Sequence, residues 1–338
     1  MNHLQLLSIT LLVFGFIENS QAAMNCASNG IIQAYTDIPH TLSVPNEAAA
    51  GTILWRSAST TLTLRCHLDP RDSWQSIMLD LSPDDRSNSS LGPHVEMGVN
   101  YNGTDYRCSQ VQGCRIGTGI RLSTCGASSS TCPSSDVPMT YSLFLAKKSA
   151  PGTNSSGPIT QLANYKAFQL AGDSNGMSSP VKSYSLTVRN MNLINYILCP
   201  ATVSFSTQNI DFGTLYSGQA APNTVASQRR LMLTTTRRCN DNTVFSMSTY
   251  MKPANFSTLS PGENLLIPHD ANNKPFDSVA FELRRNGVRI PFNQESLMFD
   301  ASKDTSRSQD LEANLIWRTD KPRIGTFSGG VIMEFFHR

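Results

Sequence analysis

Residues 279–292 read VAFELRRNGVRIPF, and this stretch carries the features that decide the fold. Apolar and polar residues alternate on both sides of Asn286-Gly287, which is the period-2 pattern of a half-buried β-strand. Asn-Gly favours the positive φ angles that a type I′ turn needs at its two central positions. The stretch therefore predicts a β-hairpin, in which two antiparallel strands are joined by a two-residue turn.

The same alternation recurs between turn residues along the rest of the chain. It predicts further strands at residues 95–101, 141–145, 184–188 and 244–250. Long helical periodicity is absent. Many short strands with frequent turns predict an all-β protein with an immunoglobulin-like sandwich in each half.

Length and charge narrow the class of protein. The 338 residues suggest two domains, each large enough to bury a core. Charged residues make up 15% of the chain and the net charge is +2. This balance argues against nucleic acid as a partner, because neutralising phosphates takes a basic stripe. The scarcity of Lys and Glu runs also argues against coiled coils.

The first 22 residues have the pattern of a cleavable secretory signal. An apolar run covers residues 4–17 and is followed by the small-residue site Ser20-Gln21-Ala22. The run is shorter than the roughly 20 residues that span a bilayer. The alternative is a buried N-terminal helix. With the signal removed, we expect a chain that is fully translocated.

The chain has eight cysteines, at positions 26, 66, 108, 114, 125, 132, 199 and 239. An even number behind a secretory signal predicts disulfides formed in an oxidising compartment. Zinc would need closely spaced ligands such as paired CxxC units, and the sequence has none. We therefore expect no metal site and no cofactor.

The cysteine spacing contains an internal repeat. Cys26 and Cys66 are 40 residues apart, as are Cys199 and Cys239, and the second pair follows the first at an offset of 173. The repeat predicts a duplicated domain, with domains at 23–195 and 196–338. The other four cysteines predict a loop-rich insertion at 108–132 without a regular element. Two local bridges would hold it, and their pairing stays open.

The second half resembles the pilin domain of chaperone–usher fimbrial subunits of Gram-negative bacteria. The end of the chain, 325–338, reads GTFSGGVIMEFFHR, with a glycine fourteen residues from the C-terminus and alternating apolar residues after it. His337 stands where that family usually has a penultimate aromatic residue. The remaining matches are Cys199, Ile210-Asp211-Phe212-Gly213, Ser217-Gly218, Leu231-Met232-Leu233 and Cys239-Asn240.

The resemblance implies a sandwich that lacks its last strand, with an exposed edge beside its core. In the family a periplasmic chaperone first lends a strand, and a neighbouring subunit's extension replaces it at the outer-membrane usher. The interface residues would be Gly325, Val331, Met333, Phe335 and His337. The alternative is that these residues form an ordinary final core strand.

The resemblance also implies a place in the fibre. Signal cleavage would leave only a few residues before Cys26, so we expect the chain to accept a strand and to have none to donate. In this family a two-domain chain of that kind is the tip adhesin, exported through the periplasm to the fimbrium. Its N-terminal domain binds a host receptor or glycan. The alternative is a minor subunit that initiates or caps assembly without binding a receptor.

Candidate receptor-binding residues are the aromatic side chains Trp74, Tyr101 and Tyr106, the last two beside the cysteine insertion. Trp55, in a strand-like run, is expected in the core. The sequence has no Gly-x-Ser-x-Gly elbow, and its His and Asp residues are scattered. We therefore expect no catalytic residues, and a secreted hydrolase on a β scaffold is the alternative from another class.

Overall fold

The computed structural model describes residues 24–70, 74–125, 132–148, 157–173, 183–197, 200–237, 244–262 and 264–338. The predicted signal at 1–22 and the pair Cys199 and Cys239 lie outside these ranges. The prediction of an all-β protein is confirmed. The helices in the described residues are single 3-10 turns at Cys108–Gln110, Gln112–Cys114, Met191–Leu193 and Ser217–Gln219. Within the same residues, no helix combines the length and apolar character needed to cross a membrane.

The strands of the first half follow the alternating runs of the sequence. They are β1 (Met24–Ala27), β2 (Gln33–Asp37), β3 (Leu42–Pro45), β4 (Ile53–Arg56), β5 (Thr60–Leu68), β6 (Gln75–Leu81), β7 (Val95–Tyr101), β8 (Thr104–Arg107), β9 (Arg115–Leu122), β10 (Ser135–Lys147), β11 (Gly157–Pro158), β12 (Asn164–Gly172), β13 (Ser185–Arg189) and β14 (Ile194–Ile197).

The second half contains both long strands and two-residue strands. They are β15 (Ala201–Phe205), β16 (Val225–Arg237), β17 (Phe245–Ala254), β18 (Thr258–Leu259), β19 (Leu266–Ile267), β20 (His269–Asp270), β21 (Val279–Arg285), β22 (Val288–Arg289), β23 (Glu295–Ser302), β24 (Ser306–Trp317), β25 (Phe327–Ser328) and β26 (Gly330–His337).

The first half is a sandwich of two sheets around one apolar core. One sheet has the order β1-β5-β10-β7-β8, with β4 also on β10, and the other has the order β2-β13-β12-β6-β9. Leu64 and Leu143 from the first sheet and Leu79 and Leu170 from the second belong to one buried cluster. Trp55 is 1% exposed, so its expected place in the core is confirmed.

The second half has the same layered construction. One sheet has the order β15-β16-β24-β21-β19-β18, with β22 paired to β21. Leu233 and Leu311 from this sheet pack with Met251 and Phe299 from β17 and β23. The antiparallel pair β15–β16 repeats the arrangement of β1–β5 in the first half. This correspondence agrees with a duplicated domain.

One sheet contains strands of both halves, which the sequence did not indicate. Its order is β11-β14-β3-β26-β17-β23, so β3 and β14 join the last strand of the chain. Within this sheet, the strands of the two halves are joined by the pairing of Ser43 with His337. The domain boundary near residue 195 stays a prediction.

The hairpin predicted at 279–292 is confirmed, with a short second arm. Arg285 pairs with Val288, and the two turn residues Asn286 and Gly287 have φ angles of 51° and 75°. Two positive φ angles are the mark of a type I′ turn. The strand predicted at 95–101 has those bounds in β7.

The cysteine insertion is more regular than we predicted. Disulfides join Cys108 to Cys114 and Cys125 to Cys132, which resolves the open pairing, and a third joins Cys26 to Cys66 across β1 and β5. The expectation of no regular element is wrong for β9, which pairs with β6 and buries Leu122. Hydrogen bonds from a neighbouring strand stabilise an extended chain even where Gly interrupts its side-chain pattern.

Candidate functional site

The last strand, β26, has a strand partner along only one of its edges. On that edge it pairs with β17 from Gly330 opposite Ala254 to His337 opposite Met247. On the other edge, the described residues supply one paired position, Ser43 opposite His337. Residues 331–336 therefore present a strand edge to which a further chain can bind through its backbone.

The side chains of β26 alternate between two faces, as in any strand. Val331, Met333 and Phe335 pack against the apolar core of the second half and are only partly buried. Phe336, on the opposite face, is fully buried. The three core-facing residues are thus less covered than Phe336, although Ile332 on that same opposite face is 44% exposed.

The opposite wall of this site comes from β15, the edge strand of the facing sheet. Val203 and Phe205 of β15 are also partly buried against the same core, and the rings of Phe205 and Phe335 are 6.0 Å apart. The half-buried apolar surface between the edges of β15 and β26 is called the edge groove below.

His337 joins the two walls of the edge groove at one end. The Ala201 backbone N–H donates a hydrogen bond of 2.8 Å to Nε2 of the His337 ring. Burial, together with the nearby charge of Arg237, lowers the pKa of His337 to about 4. The imidazole is therefore neutral at neutral pH, and its Nε2 accepts the hydrogen bond from the Ala201 N–H.

Of the five interface residues predicted from sequence, four lie on β26 and the fifth lies elsewhere. Gly325 precedes both β25 and β26 in the chain. A Cβ added at Gly325 would lie 3.6 Å from the Phe276 ring, and Phe276 belongs to a separate apolar cluster. The structure therefore brings together Val331, Met333, Phe335 and His337 but not Gly325.

On the other face of β26, an ionic cluster joins the two halves. Arg56 of β4 donates to Glu334 from Nε at 2.8 Å and from Nη2 at 3.1 Å. The same guanidinium donates to Asp105 at 3.0 and 2.8 Å. Lys252 of β17 completes the cluster with a 2.8 Å hydrogen bond to Glu334. Sequence reasoning missed this cluster, because no motif relates residues so far apart in the chain.

The environment of the cluster keeps Arg56 and Asp105 charged. Arg56 is 1% exposed and lies 4.9 Å from the centre of the Phe144 ring. Burial alone would lower the pKa of Arg56, but hydrogen bonds to Glu334 and Asp105 raise it above its usual value. Burial alone would raise the pKa of Asp105, but Arg56 lowers it. Two cations and two carboxylates balance in charge, as a buried ionic group requires.

A second polar contact between the halves lies at His40. Its Nε2 is 2.8 Å from a carboxylate oxygen of Glu295, and Arg338 Nε is 3.7 Å from the same oxygen. Burial alone would raise the pKa of Glu295, but the hydrogen bond with His40 lowers it. Arg338, the last residue of the sequence, therefore lies within ion-pair distance of Glu295, which also contacts His40 of the first half.

The three aromatic residues predicted to bind a receptor do not form one site. Trp74 is 51% exposed and precedes β6 of one sheet, where the Arg121 guanidinium stacks 3.3 Å from its ring centre. Tyr101 and Tyr106 lie on β7 and β8 of the other sheet. Burial raises the pKa of Tyr101, which is 7% exposed, and Tyr106 packs against the core. Trp74 is therefore the member of this set that a large ligand can reach.

Comparison with known proteins gives matches among solved structures alone, since no protein family model and no curated protein matches the chain. The chain is similar to the CupB6 tip adhesin from Pseudomonas aeruginosa, at 12% identity over 93% of each chain, with a TM-score of 0.32. It is also similar to a chain from a chaperone–tip adhesin complex of CFA/I fimbriae biogenesis, at 9% identity over 90% of this chain and 95% of that one, with a TM-score of 0.28. A two-domain protein of unknown function from Bacteroides fragilis aligns at 11% identity over 95% and 96% of the two chains, with a TM-score of 0.20. TM-scores of this size do not support an argument about function. The proposal below therefore rests on the residues described above.

Proposed function

We propose that this chain is a fimbrial tip subunit that mediates adhesion and is joined to its fibre by donor-strand complementation. The observation that carries the proposal is the edge groove. Val331, Met333 and Phe335 face the core from β26, one edge of which is paired only at His337 among the described residues, and they remain only partly buried. A strand from another chain would complete both the sheet and the core there.

The physical chemistry of the edge groove favours an extended occupant. An added strand can pair with the free backbone groups of β26, and its alternate side chains can cover the apolar surface between Phe205 and Phe335. Fully burying one large apolar side chain stabilises by about 1.5–3 kcal/mol. Several such residues on one donor strand would therefore support a tight complex.

The partners follow from this mode of binding. A periplasmic fimbrial chaperone would occupy the edge groove first and protect it from aggregation. The N-terminal extension of a neighbouring fimbrial subunit would then replace the chaperone strand at the outer-membrane usher. In this proposal the chain passes through the periplasm and ends in a fimbrium on the cell surface.

A position at the fibre tip agrees with the pairing of β1 inside the first half. Residues Met24–Ala27 pair with β5, and Met24 and Cys26 are buried in the core of the first half. This segment is part of its own sheet and is not available for donation to a neighbour. The first half would then be the recognition domain, and the second half would join the shaft.

Two substitutions on neighbouring residues of β26 test the edge groove. Met333→Asp places a charge toward the groove, whereas Ile332→Asp places the same charge at an exposed position on the other face of the strand. We expect Met333→Asp to reduce the chaperone complex recovered on co-expression by at least about tenfold, and Ile332→Asp to leave it nearly unchanged. Equal yields from both variants would contradict donor-strand binding at this site.

Adhesion is tested separately on cells that assemble the fibre. We expect deletion of the chain to abolish attachment to host cells, and expression of the full chain to restore it. Restored fibres without restored attachment would show instead a subunit that initiates or caps assembly and binds no receptor.

A further inference from the structure

An open pocket of about 720 Å³, with polar side chains at seven of its twelve lining residues, lies on the outer face of the first half. Its floor is the solvent face of β5, where Thr63, Arg65 and His67 alternate with the buried residues Leu64 and Cys66. Its volume is within the range of about 300–1,000 Å³ that is typical of ligand sites.

Strand register explains why this face is concave at Arg65. Ala27 of β1 is directly opposite Arg65, and its methyl group leaves space beside the longer side chain. On the other side of Arg65, Asp136 of β10 is its paired residue. The rim includes the turn at Asn29-Gly30 and the residues Asp69, Pro70 and Ser134.

Two disulfides lie at the pocket. The disulfide between Cys26 and Cys66 joins β5, which forms the floor, to its neighbour β1, and both cysteines are buried beneath the pocket. The disulfide between Cys125 and Cys132 lies at the rim. Arg65 is held in part by a 2.8 Å hydrogen bond from its Nε to the Ser134 hydroxyl. A site on constrained strands loses little conformational entropy when a ligand binds.

The polar groups of the pocket are mixed donors and acceptors. The two terminal nitrogens of Arg65 donate no hydrogen bond to the described residues, and Asp136, its paired residue on β10, is an exposed acceptor. Asp69 accepts a 2.6 Å hydrogen bond from Asn25 at the rim. His67 adds a group that can either donate or accept.

This mixture selects against charged ligands. An anionic ligand would meet the carboxylates of Asp69 and Asp136, and a cationic ligand would meet Arg65. A hydroxyl group both donates and accepts, so neighbouring hydroxyls on one ring can satisfy Arg65 and Asp136 together. Pro70 and Ala27 offer apolar surface for the C–H groups of such a ring.

We infer that this pocket binds an uncharged saccharide and is the receptor site of the first half. The inference rests on the proposed function, since it assigns a place and a ligand class to the adhesion proposed there. It differs from the sequence-based expectation, because none of Trp74, Tyr101 and Tyr106 lines this pocket.

The test is binding of the full chain, purified with its chaperone, to an array of neutral oligosaccharides printed beside their sialylated and sulfated derivatives. We expect binding to neutral members. Arg65→Ala and Asp136→Asn should each raise the Kd for such a saccharide at least about tenfold, because each removes a charged hydrogen-bonding group. Arg121→Ala is the matched control, since this exposed arginine stacks on Trp74 outside the pocket.

Each outcome bears on the inference. Binding confined to sialylated or sulfated glycans, or no binding by the unaltered chain, would overturn it. Loss of binding in Arg121→Ala with retention in Arg65→Ala would move the receptor site to Trp74 and leave the proposed adhesion standing. All variants should have the same unfolding midpoint as the unaltered chain. If a variant has a lower midpoint, its binding measurement is replaced by hydrogen exchange of the unaltered chain at β1 and β5, measured with and without the saccharide. Unchanged exchange there would count against the pocket.

Discussion

Arg56 Nε lies 2.8 Å from a carboxylate oxygen of Glu334, so a buried cation of the first half is paired with the last strand of the chain. Glu334 stands between Met333 and Phe335, whose side chains face the edge groove. One short segment therefore forms a wall of the proposed strand-binding site and also contacts the proposed recognition half. A change in the position of β26 would therefore alter the hydrogen bonds between Arg56 and Glu334.

We expect Arg56→Met to lower the free energy of unfolding by about 3 kcal/mol, because it leaves Glu334 and Asp105 without their buried partner. Denaturant unfolding of the full chain measures this change. The control is Arg189→Met, which removes an arginine paired with Asp37 on an exposed surface. Solvent screens that pair, so its loss should cost much less. Similar losses in both variants would show that the buried cluster contributes little.

The His337 ring predicts a specific pH dependence of stability. Its pKa in the folded chain is about 4, below the ordinary value of 6.5. Between these values the unfolded chain binds more protons than the folded chain, so stability falls as pH falls from about 6.5 to 4. The loss from this group is about 3 kcal/mol.

His337→Gln tests that dependence, because an amide oxygen can still accept from the Ala201 N–H but does not titrate. We expect the unfolding free energy of the unaltered chain minus that of the variant to fall by about 3 kcal/mol as pH falls through this window. A constant difference from pH 7 to pH 4 would mean that His337 is not the titrating group.

Lys147 predicts a stabilising substitution. Its side chain is 0% exposed, and its Nζ has no hydrogen-bond partner among the described residues and lies 5.5 Å from the centre of the Tyr196 ring. Burial lowers the pKa of Lys147. We expect Lys147→Met to raise the free energy of unfolding by about 1–2 kcal/mol near neutral pH, because a buried charge without a paired anion is costly.

The advantage of Lys147→Met should diminish at alkaline pH. The unfolded lysine keeps its proton to a higher pH than the folded one, so the unaltered chain gains stability as pH rises toward the ordinary pKa. Thermal unfolding at pH 7 and pH 10 checks both statements. A variant less stable than the unaltered chain at pH 7 would show that the ammonium is better solvated than its burial indicates.

Two glycines on strands predict opposite tolerance of a methyl group. A Cβ at Gly98 would lie 2.2 Å from the Phe144 ring on the neighbouring strand, whereas a Cβ at Gly117 would meet nothing within 4 Å. We expect Gly98→Ala to cost about 1–3 kcal/mol through displacement of Phe144. Gly117→Ala should be neutral or slightly stabilising, because alanine restricts the unfolded chain more than glycine does. Equal unfolding midpoints for both variants would contradict the close packing at Gly98.

Local sequence patterns predicted much of the fold. The Asn286-Gly287 turn, the strand at 95–101 and the buried Trp55 could all be read from a few neighbouring residues. These features were predictable because strand alternation and turn geometry depend on residues that are close together along the chain. The strand β9 was missed for the complementary reason, since its hydrogen bonds come from β6.

In the candidate sites too, the sequence showed the local pattern of each strand but not the partners of its side chains. The alternation of Val331, Met333 and Phe335 was visible in the sequence, and so was the period-2 row of Thr63, Arg65 and His67, although its meaning was not. Their partners were not visible, because Ala27, Asp136 and Phe205 become neighbours only through the register of paired strands. A shift of one residue in such a register would turn each side chain to the opposite face.

The amino-acid sequence was enough to establish an all-β chain with an internal repeat, because alternation and cysteine spacing are properties of the linear order. The folded chain was needed to show that Arg56 contacts Glu334, that His337 accepts a hydrogen bond from Ala201, and that Arg65 lies between Ala27 and Asp136. These contacts depend on which distant strands pair and on which face each side chain lies. The pairing of strands and the facing of side chains depend on how the whole core is buried, and no short segment of sequence contains the whole core.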